Sequence, residues 1–116
     1  MSDSDCLFCK FASGAIPVDK VHDDELCFAL RDIQPLAPSH LLIIPKQHIA
    51  SANELSEVHS ALLGRMLSVA RQLAADEGLS ESGYRLVFNT GPDAGQSVSH
   101  LHLHVLGGRN LGASVS

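Results

Sequence analysis

The clearest pattern of apolar and polar positions lies near the end of the chain, where three histidines alternate with three aliphatic residues. Successive side chains of a β-strand point to opposite faces of a sheet, so strict alternation indicates a strand with one buried face. The pattern predicts a strand over residues 101–106. Its buried face would carry Leu101, Leu103 and Val105, and the opposite face would carry His100, His102 and His104.

The longest helical pattern lies in the middle of the chain. Apolar residues recur there every three or four positions and predict a helix over residues 56–77, which Gly78 ends. The apolar stripe of this helix would comprise Val58, Leu62, Met66, Val69 and Leu73. A shorter helix is predicted over residues 6–13, with Asp5 as its N-cap and Gly14 at its end.

The remaining apolar runs predict strands over residues 18–22, 26–31, 40–45 and 84–89. The first two of these strands form a hairpin, and two prolines make residues 34–38 a connector. Strands around one long helix, linked mostly without crossover helices, predict the α+β class with an antiparallel sheet. We expect one domain over residues 1–116, with a loose tail over residues 110–116.

Composition narrows the classes of partner. Acidic residues outnumber basic ones, 13 to 8, whereas binding to a nucleic-acid backbone needs clustered Lys and Arg. No apolar run reaches the length of a membrane span, and the N-terminus is polar. The three cysteines are an odd number and do not match a disulfide framework. We therefore expect a cytoplasmic protein that binds neither nucleic acid nor membrane.

Three histidines on one strand face have three interpretations. An imidazole can attack an electrophile, transfer protons or bind a metal ion near neutral pH. The three rings would serve covalent catalysis, form a catalytic zinc site, or make a solvent-facing polar stripe without a function. The alternation by itself leaves all three interpretations open.

The segments around the histidines resemble one known family. A glycine-rich loop over residues 89–98 precedes them, and Gly107 and Gly108 follow them. Glycines in such a loop allow backbone N–H groups to approach an anion closely. Together with residues 31–35, 40–46 and 83–87, these features closely resemble the histidine triad (HIT) family of nucleotide hydrolases and transferases, in the branch called histidine triad nucleotide-binding proteins.

The resemblance covers nearly the whole chain, from about residue 7 to residue 109. It implies a HIT-like fold, with a five-stranded antiparallel sheet and two helices. It also implies a homodimer with a ten-stranded sheet across both chains. The apolar stripe of the long helix offers a face that two chains could share.

For catalysis, the resemblance implies that His102 attacks an α-phosphorus and forms a nucleotidyl-imidazole intermediate, which water then opens. His104 would donate a hydrogen bond to a phosphoryl oxygen, where charge develops. Ser97 would contact the leaving atom, unless its hydroxyl only satisfies its own turn. The implied catalytic set is His40, Ser97, His100, His102 and His104, although His40 could simply begin a strand.

For nucleotide binding, the resemblance implies that Asp32 holds the ribose, because a carboxylate can accept two hydrogen bonds from a vicinal diol. The alternative is an aspartate that only starts a turn. The other implied nucleotide contacts are Leu7, Phe8, Ile16, Leu30, Ile33, Asn89, Gln96, Ser97 and Val98. Without the resemblance, the apolar members of this set would be ordinary core residues.

Two cysteines near the start of the chain form a second candidate site. Cys6 and Cys9 are three residues apart and share a face of the predicted short helix. Two such cysteines often form half of a zinc site, and His48 and His100 offer two nitrogen ligands. The resemblance implies a structural zinc ion held by these four residues. The alternatives are two small half-buried thiols or, less in keeping with the surrounding sequence, a redox dithiol.

The resemblance implies a hydrolase of nucleoside 5′-monophosphate derivatives, such as adenosine 5′-monophosphoramidate, with a purine nucleoside monophosphate or its phosphoramidate as ligand. No organic cofactor is expected. Three alternatives stay open: a dinucleoside polyphosphate hydrolase, a zinc-dependent hydrolase with the triad as metal ligands, and a nucleotide-binding regulatory module without catalysis. The short tail has no aromatic residue, which leaves the preferred leaving group open.

Overall fold

One antiparallel sheet organises the protein, whose computed structural model describes residues 5–113. Its strands, in the spatial order β1-β2-β3-β5-β4, are β1 (His22–Asp23), β2 (Cys27–Arg31), β3 (Ser39–Pro45), β4 (Tyr84–Val87) and β5 (Leu103–Gly107). Within residues 5–113 the α-helices are α1 (Leu7–Ser13) and α2 (Ser60–Asp76). The predicted α+β class and five-stranded antiparallel sheet are confirmed.

Each face of the sheet is covered by a different helix, because side chains alternate along the strands. On one face, α2 packs over Ala29, Leu41, Ile43, Leu103 and Val105. On the other face, Cys6 and Phe8 of the α1 segment pack against Phe28, Leu30, Leu42 and Ile44. The central strand β3 is buried along its whole length. The predicted burial of Leu101, Leu103 and Val105 is confirmed.

The long helix is shorter than its pattern predicts. Residues Glu57–His59 form a 3-10 turn, and the α-helix proper begins at Ser60. Leu62, Met66 and Val69 are buried against the sheet of the same chain, whereas Val58 is exposed. The apolar stripe is therefore not available as the shared face of a dimer, which corrects that expectation. The ten-stranded sheet itself stays a prediction.

The ends of several other elements differ from the prediction. The first strand covers only His22–Asp23, and β4 ends at Val87. Cys6, not Asp5, is the N-cap of α1, because its sulfur accepts a hydrogen bond from the backbone N–H of Cys9 at 3.4 Å. The predicted loose tail begins in the described part of the chain, where the Gly112 carbonyl accepts a bond from Arg85; residues 114–116 lie outside the described residues.

The histidine strand also begins later than predicted. β5 starts at Leu103, so His100 and His102 precede it. The reason is that the N–H of Leu101 bonds to the carbonyl of Ile49 at 2.6 Å, and not to a strand. The three histidines therefore do not share one strand face. Among residues 5–113, no helix has both the length and the apolar character that a membrane crossing requires.

Candidate active site and metal centre

A cavity of about 750 Å³ opens between α1, the end of β2 and the start of β5. Nine residues predicted to bind the nucleotide or act in catalysis line it, namely Leu7, Phe8, Leu30, Asp32, Ile33, Ser97, Val98, His102 and His104. Six further lining residues were not predicted, namely Phe11, Val18, Asp19, Val21, Arg31 and Leu42. The helical spacing of Phe11 and the strand alternation of Leu42 were the available signals for two of these. The wall is thus mostly apolar, with the histidines and Asp32 at its polar end.

His102 has one ring nitrogen fixed by the backbone. Its Nδ1 lies 2.7 Å from the carbonyl oxygen of His100, and a carbonyl can only accept, so Nδ1 carries the proton. In a neutral ring, Nε2 then holds a lone pair. The edge of the ring packs against Phe8, with centroids 5.2 Å apart, which limits its rotation. This is the arrangement that a nucleophilic imidazole requires.

His104 is prepared as a donor by a chain of two hydrogen bonds. The N–H of Leu36 donates to Nδ1 of His40 at 3.1 Å, which places the proton of His40 on Nε2. That Nε2–H donates to Nδ1 of His104 at 2.9 Å. A neutral His104 therefore carries its own proton on Nε2. The register supports this contact, because Leu42 pairs with His104 and places His40 on the same face two residues away.

The histidines of this pair are neutral near pH 7. Burial, together with electrostatic repulsion from His102 and His40, lowers the pKa of His104 to about 4. Burial also lowers the pKa of His40, while the nearby Asp32 carboxylate raises it. A neutral ring that carries its proton on Nε2 can donate a hydrogen bond to negative charge that develops beside it.

The carboxylate of Asp32 forms a turn and also lines the cavity. One carboxylate oxygen accepts the N–H of Gln34 at 2.8 Å, which is a turn-forming bond. The other oxygen lies 3.6 Å from Nε2 of His40. The side chain also lines the cavity, so its remaining acceptor positions can reach a bound ligand.

Five of the residues predicted to bind the nucleotide or act in catalysis lie outside the cavity wall, namely Ile16, His40, Asn89, Gln96 and His100. Gln96 bonds to the N–H of Gly91 and to the carbonyls of Ala50 and Val98, so it shapes the glycine-rich loop. Asn89 lines a separate cavity of about 170 Å³ that also includes His104. His40 contacts His104, and His100 belongs to the cysteine cluster.

The four predicted metal ligands converge. Sγ of Cys6 lies 3.1 Å from Nδ1 of His100, and Sγ of Cys9 lies 3.2 Å from Nδ1 of His48 and 3.5 Å from that of His100. Nε2 of His100 donates to the carbonyl of Pro45 at 2.8 Å, so its Nδ1 lone pair faces the sulfurs. All four donor atoms lie within 4.8 Å of one another. Tetrahedral zinc needs ligand separations of roughly 3.3–3.8 Å, which this donor set nearly meets.

The cavity and the cysteine cluster touch. The carbonyl of His100 accepts the bond that orients His102, and Phe8 stands between the two cysteines in sequence. The Phe8 ring contacts His100 edge-on as well as His102, with centroids 5.8 Å and 5.2 Å apart. The same short helix therefore supplies two thiols to the cluster and one wall of the cavity.

A third group of ligand-type side chains has a structural role. Asp24 accepts bonds from His22, from Nε of Arg65 and from the backbone N–H groups of Leu26 and Cys27. Burial raises the pKa of the Cys27 thiol to about 12, so this sulfur stays protonated. The group ties the turn between β1 and β2 to α2.

Comparison with known proteins shows the family to which the chain belongs. The HIT domain model matches residues 13–111. The purine nucleoside phosphoramidase of Escherichia coli K12 is 49% identical over 106 residues, which cover 91% of this chain and 89% of that protein. The crystal structure of a HIT family hydrolase from Legionella pneumophila has a TM-score of 0.91 and 55% identity, and covers 93% of this chain and 96% of that one.

A zinc-bound histidine triad family protein from Mycobacterium smegmatis is a more distant neighbour. Its TM-score is 0.80 at 30% identity, with 95% of this chain and 79% of that chain covered. Taken together, the fold, the histidines and the extent of the match define a class of hydrolase. The chain belongs to the HIT family, and it is a hydrolase of that family.

Proposed function

We propose that the protein cleaves the P–N bond of adenosine 5′-phosphoramidates through a nucleotidyl-His102 intermediate. The observation that carries this proposal is the orientation of His102, whose Nδ1–H is held by the His100 carbonyl and whose ring lines the cavity. The name of the E. coli relative supports a purine nucleoside phosphoramidate as substrate.

Binding of the nucleotide would place the base against the apolar wall and the ribose at Asp32. Leu7, Phe8, Leu30 and Ile33 make that wall, and Asp32 is the carboxylate nearest to His40. The phosphorus would then lie between His102 and His104. Ser97 lines the same cavity and can reach the atom that leaves.

In the first step, Nε2 of His102 forms a bond to phosphorus while the P–N bond breaks. The amine leaves with the bonding electron pair and takes up a proton. The Nε2–H of His104 donates to a phosphoryl oxygen as charge develops there. In the second step, water attacks phosphorus, the bond to His102 breaks, and AMP and a proton are released.

A single-turnover experiment tests this proposal. The protein is mixed with adenosine 5′-phosphoramidate, quenched within milliseconds, digested and analysed by mass spectrometry. We expect an adenylyl group on His102. Full turnover with no adduct on any histidine would contradict covalent catalysis. A panel with a dinucleoside polyphosphate and an acyl adenylate then tells the phosphoramidase from the other hydrolase activities.

We also propose that Cys6, Cys9, His48 and His100 hold one structural zinc ion. The support is the donor set of two thiols and two imidazole nitrogens, and the zinc-bound relative. Bound there, zinc would supply a rigid tetrahedral link between the α1 segment and the residues before β5. The orientation of His100 counts against the alternative in which the triad itself binds a catalytic metal, because Nε2 of His100 is bonded to Pro45.

Finally, we propose a homodimer with a ten-stranded sheet. β4 is an edge strand of the five-stranded sheet, and Leu86 on it is 41% exposed. An exposed edge with an apolar residue is a natural site for pairing with a second chain. Sedimentation at micromolar concentration tests the assembly, and a stable monomer would contradict it.

A further inference from the structure

The carboxylate of Glu77 holds the ends of two neighbouring strands. Glu77 is the C-cap of α2. Its two oxygens accept bonds from Nη1 and Nη2 of Arg31 at 2.6 Å and 2.9 Å, and Oε1 also accepts the hydroxyl of Ser39 at 2.9 Å. Arg31 is the last residue of β2 and Ser39 is the first residue of β3. One side chain thus closes the base of the loop between these strands.

Both clamped residues directly precede residues of the proposed active site. Arg31 precedes Asp32, and Ser39 precedes His40. The backbone N–H of Asp32 bonds to the carbonyl of His40 at 3.0 Å, so the two residues move together. Arg31 pairs with Leu41, whose side chain lies on the α2 face of the sheet. Arg31 also contributes to the wall of the cavity that Asp32 lines, whereas Ser39 and Glu77 do not.

The loop over residues 32–38 has no regular secondary structure of its own, yet it supplies three groups to the site. Asp32 and Ile33 line the cavity, and the N–H of Leu36 sets the proton position of His40. Two prolines stiffen the loop, so its placement depends on how its two ends are held. Glu77 bonds to Arg31 and Ser39, the residues at these two ends.

We propose that Glu77 is a positioning residue for ribose recognition: by clamping Arg31 and Ser39 it fixes the carboxylate of Asp32 at the ribose end of the cavity. This inference rests on the proposed function, in which Asp32 binds the ribose diol. Glu77 itself is not among the residues of the cavity wall.

The geometry suits a positioning role better than a purely stabilising one. A bidentate arginine–carboxylate pair fixes direction as well as distance. The Arg31 side chain is 57% exposed, and exposed ion pairs contribute little to the free energy of unfolding. The Arg31 guanidinium and then the Ser39 hydroxyl hold the pKa of Glu77 at about 2, so the clamp is charged throughout the neutral range.

The test compares two ligands in one variant. AMP and 2′,3′-dideoxyadenosine 5′-monophosphate are titrated by calorimetry into the wild type, Glu77→Ala and Glu77→Gln. For Glu77→Ala we expect AMP to bind about tenfold more weakly, the size of one displaced charged hydrogen bond, with no change for the dideoxy nucleotide. Glu77→Gln keeps an acceptor for Ser39 and should lose less. Asp76→Ala removes the neighbouring carboxylate of α2 and should change neither affinity.

Equal weakening of both nucleotides, or an unchanged preference for AMP, would overturn the inference. If Glu77→Ala fails to fold, Ser39→Ala removes one contact of the same clamp from a residue outside the cavity wall and carries the same expectation. A wild type that binds both nucleotides equally would overturn the inference too, because Asp32 would then not hold the diol. The adenylyl adduct on His102 tests the proposed function separately, so the two failures are distinguishable.

Discussion

His100 and His102 are two residues apart, yet they belong to regions with different chemistry. In His100, Nε2 is bonded to the Pro45 carbonyl, and Nδ1 faces the sulfurs of Cys6 and Cys9. In His102, Nδ1 is bonded to the His100 carbonyl, and the ring lines the cavity. In each ring a backbone carbonyl determines which nitrogen keeps its lone pair. The comparison teaches that the hydrogen-bond partner, and not the residue type, separates a metal ligand from a nucleophile.

The largest effect on activity is expected from a change to His102, the histidine that lines the cavity. His102→Ala should lower phosphoramidate hydrolysis on the order of 10⁴-fold or more, because no neighbouring group can form the covalent intermediate. AMP binding should persist, since the base wall and Asp32 are unchanged. Steady-state kinetics and calorimetry measure the two effects.

His59→Ala is a matched control for that variant, because His59 lies in the 3-10 turn before α2. It should keep full activity. Full activity in His102→Ala itself would refute the assignment, and parallel loss of metal and activity would favour the metal-hydrolase alternative.

A smaller loss is expected for His104→Ala. One transition-state donor typically contributes 10²–10³-fold in rate, and His104 has its proton on Nε2 for this purpose. Activity should therefore fall by about that factor, with the adenylyl adduct still forming on His102. A variant that forms no adduct at all would show that His104 does more than donate.

Changes to the cysteine cluster should affect AMP binding more than the rate of hydrolysis. Removing zinc, or replacing Cys9 by Ser, should abolish stoichiometric metal binding and lower the melting temperature, because α1 loses its link to the sheet. Since Leu7 and Phe8 of α1 line the cavity, AMP affinity should fall by about tenfold, within the usual range of coupling between sites. AMP should raise zinc affinity by the same factor, because such coupling is reciprocal.

Cys27→Ser is the control for the cluster, since Cys27 packs in the core under α2, away from the four ligands. It should keep the metal and the coupling. Metal analysis, thermal unfolding and paired titrations measure the result. Full metal retention in Cys9→Ser, or an AMP affinity that is the same with and without the metal, would contradict the proposed coupling between the cysteine cluster and the cavity.

The smallest effect concerns pH. The pKa of His104 is about 4 in the folded protein and about 6.5 in an unfolded chain. Between these values the unfolded chain binds a proton that the folded protein does not, so the free energy of unfolding falls as pH decreases from 6.5 to 4. Chemical denaturation across this window should show a smaller decrease in His104→Gln. An identical decrease in both proteins would assign the effect to other groups.

The contacts of Glu77 with Arg31 and Ser39 should affect the free energy of unfolding in a lower pH range. The pKa of Glu77 is about 2, below its ordinary value of 4.5, so its stabilisation is complete above 4.5 and is lost as pH falls toward 2. The pH ranges for His104 and Glu77 barely overlap, so one series of denaturation experiments across pH can separate the two contributions.

The sequence allowed much of the sheet to be predicted. Alternation identified β5 and the burial of Leu101, Leu103 and Val105, because period two depends only on the strand itself, and a continuous apolar run identified β3. The start of β5 was predicted two residues early, because the N–H of Leu101 bonds to Ile49, a partner 52 positions away that no local pattern contains. Leu62, Met66 and Val69 of the predicted stripe are buried, whereas Val58 precedes α2 and is exposed. The use of the stripe within the same chain depends on the sheet that it meets.

The four residues of the cysteine cluster and nine residues of the cavity wall were named from the sequence and its resemblance to the HIT family, and the tertiary structure decided what each of them faces. Spacing alone brought Cys6 near Cys9, since three residues make nearly one helical turn. His100, 94 positions beyond Cys6, joins them only through the fold. The proton position on His100 depends on the carbonyl of Pro45, 55 positions away, and that on His104 depends on the ring of His40, 64 positions away. Those on His40 and His102 depend on backbone groups within four residues. The clamp by Glu77 had no signal in the sequence, because a carboxylate at a helix end acquires a role only when two strand ends are placed beside it.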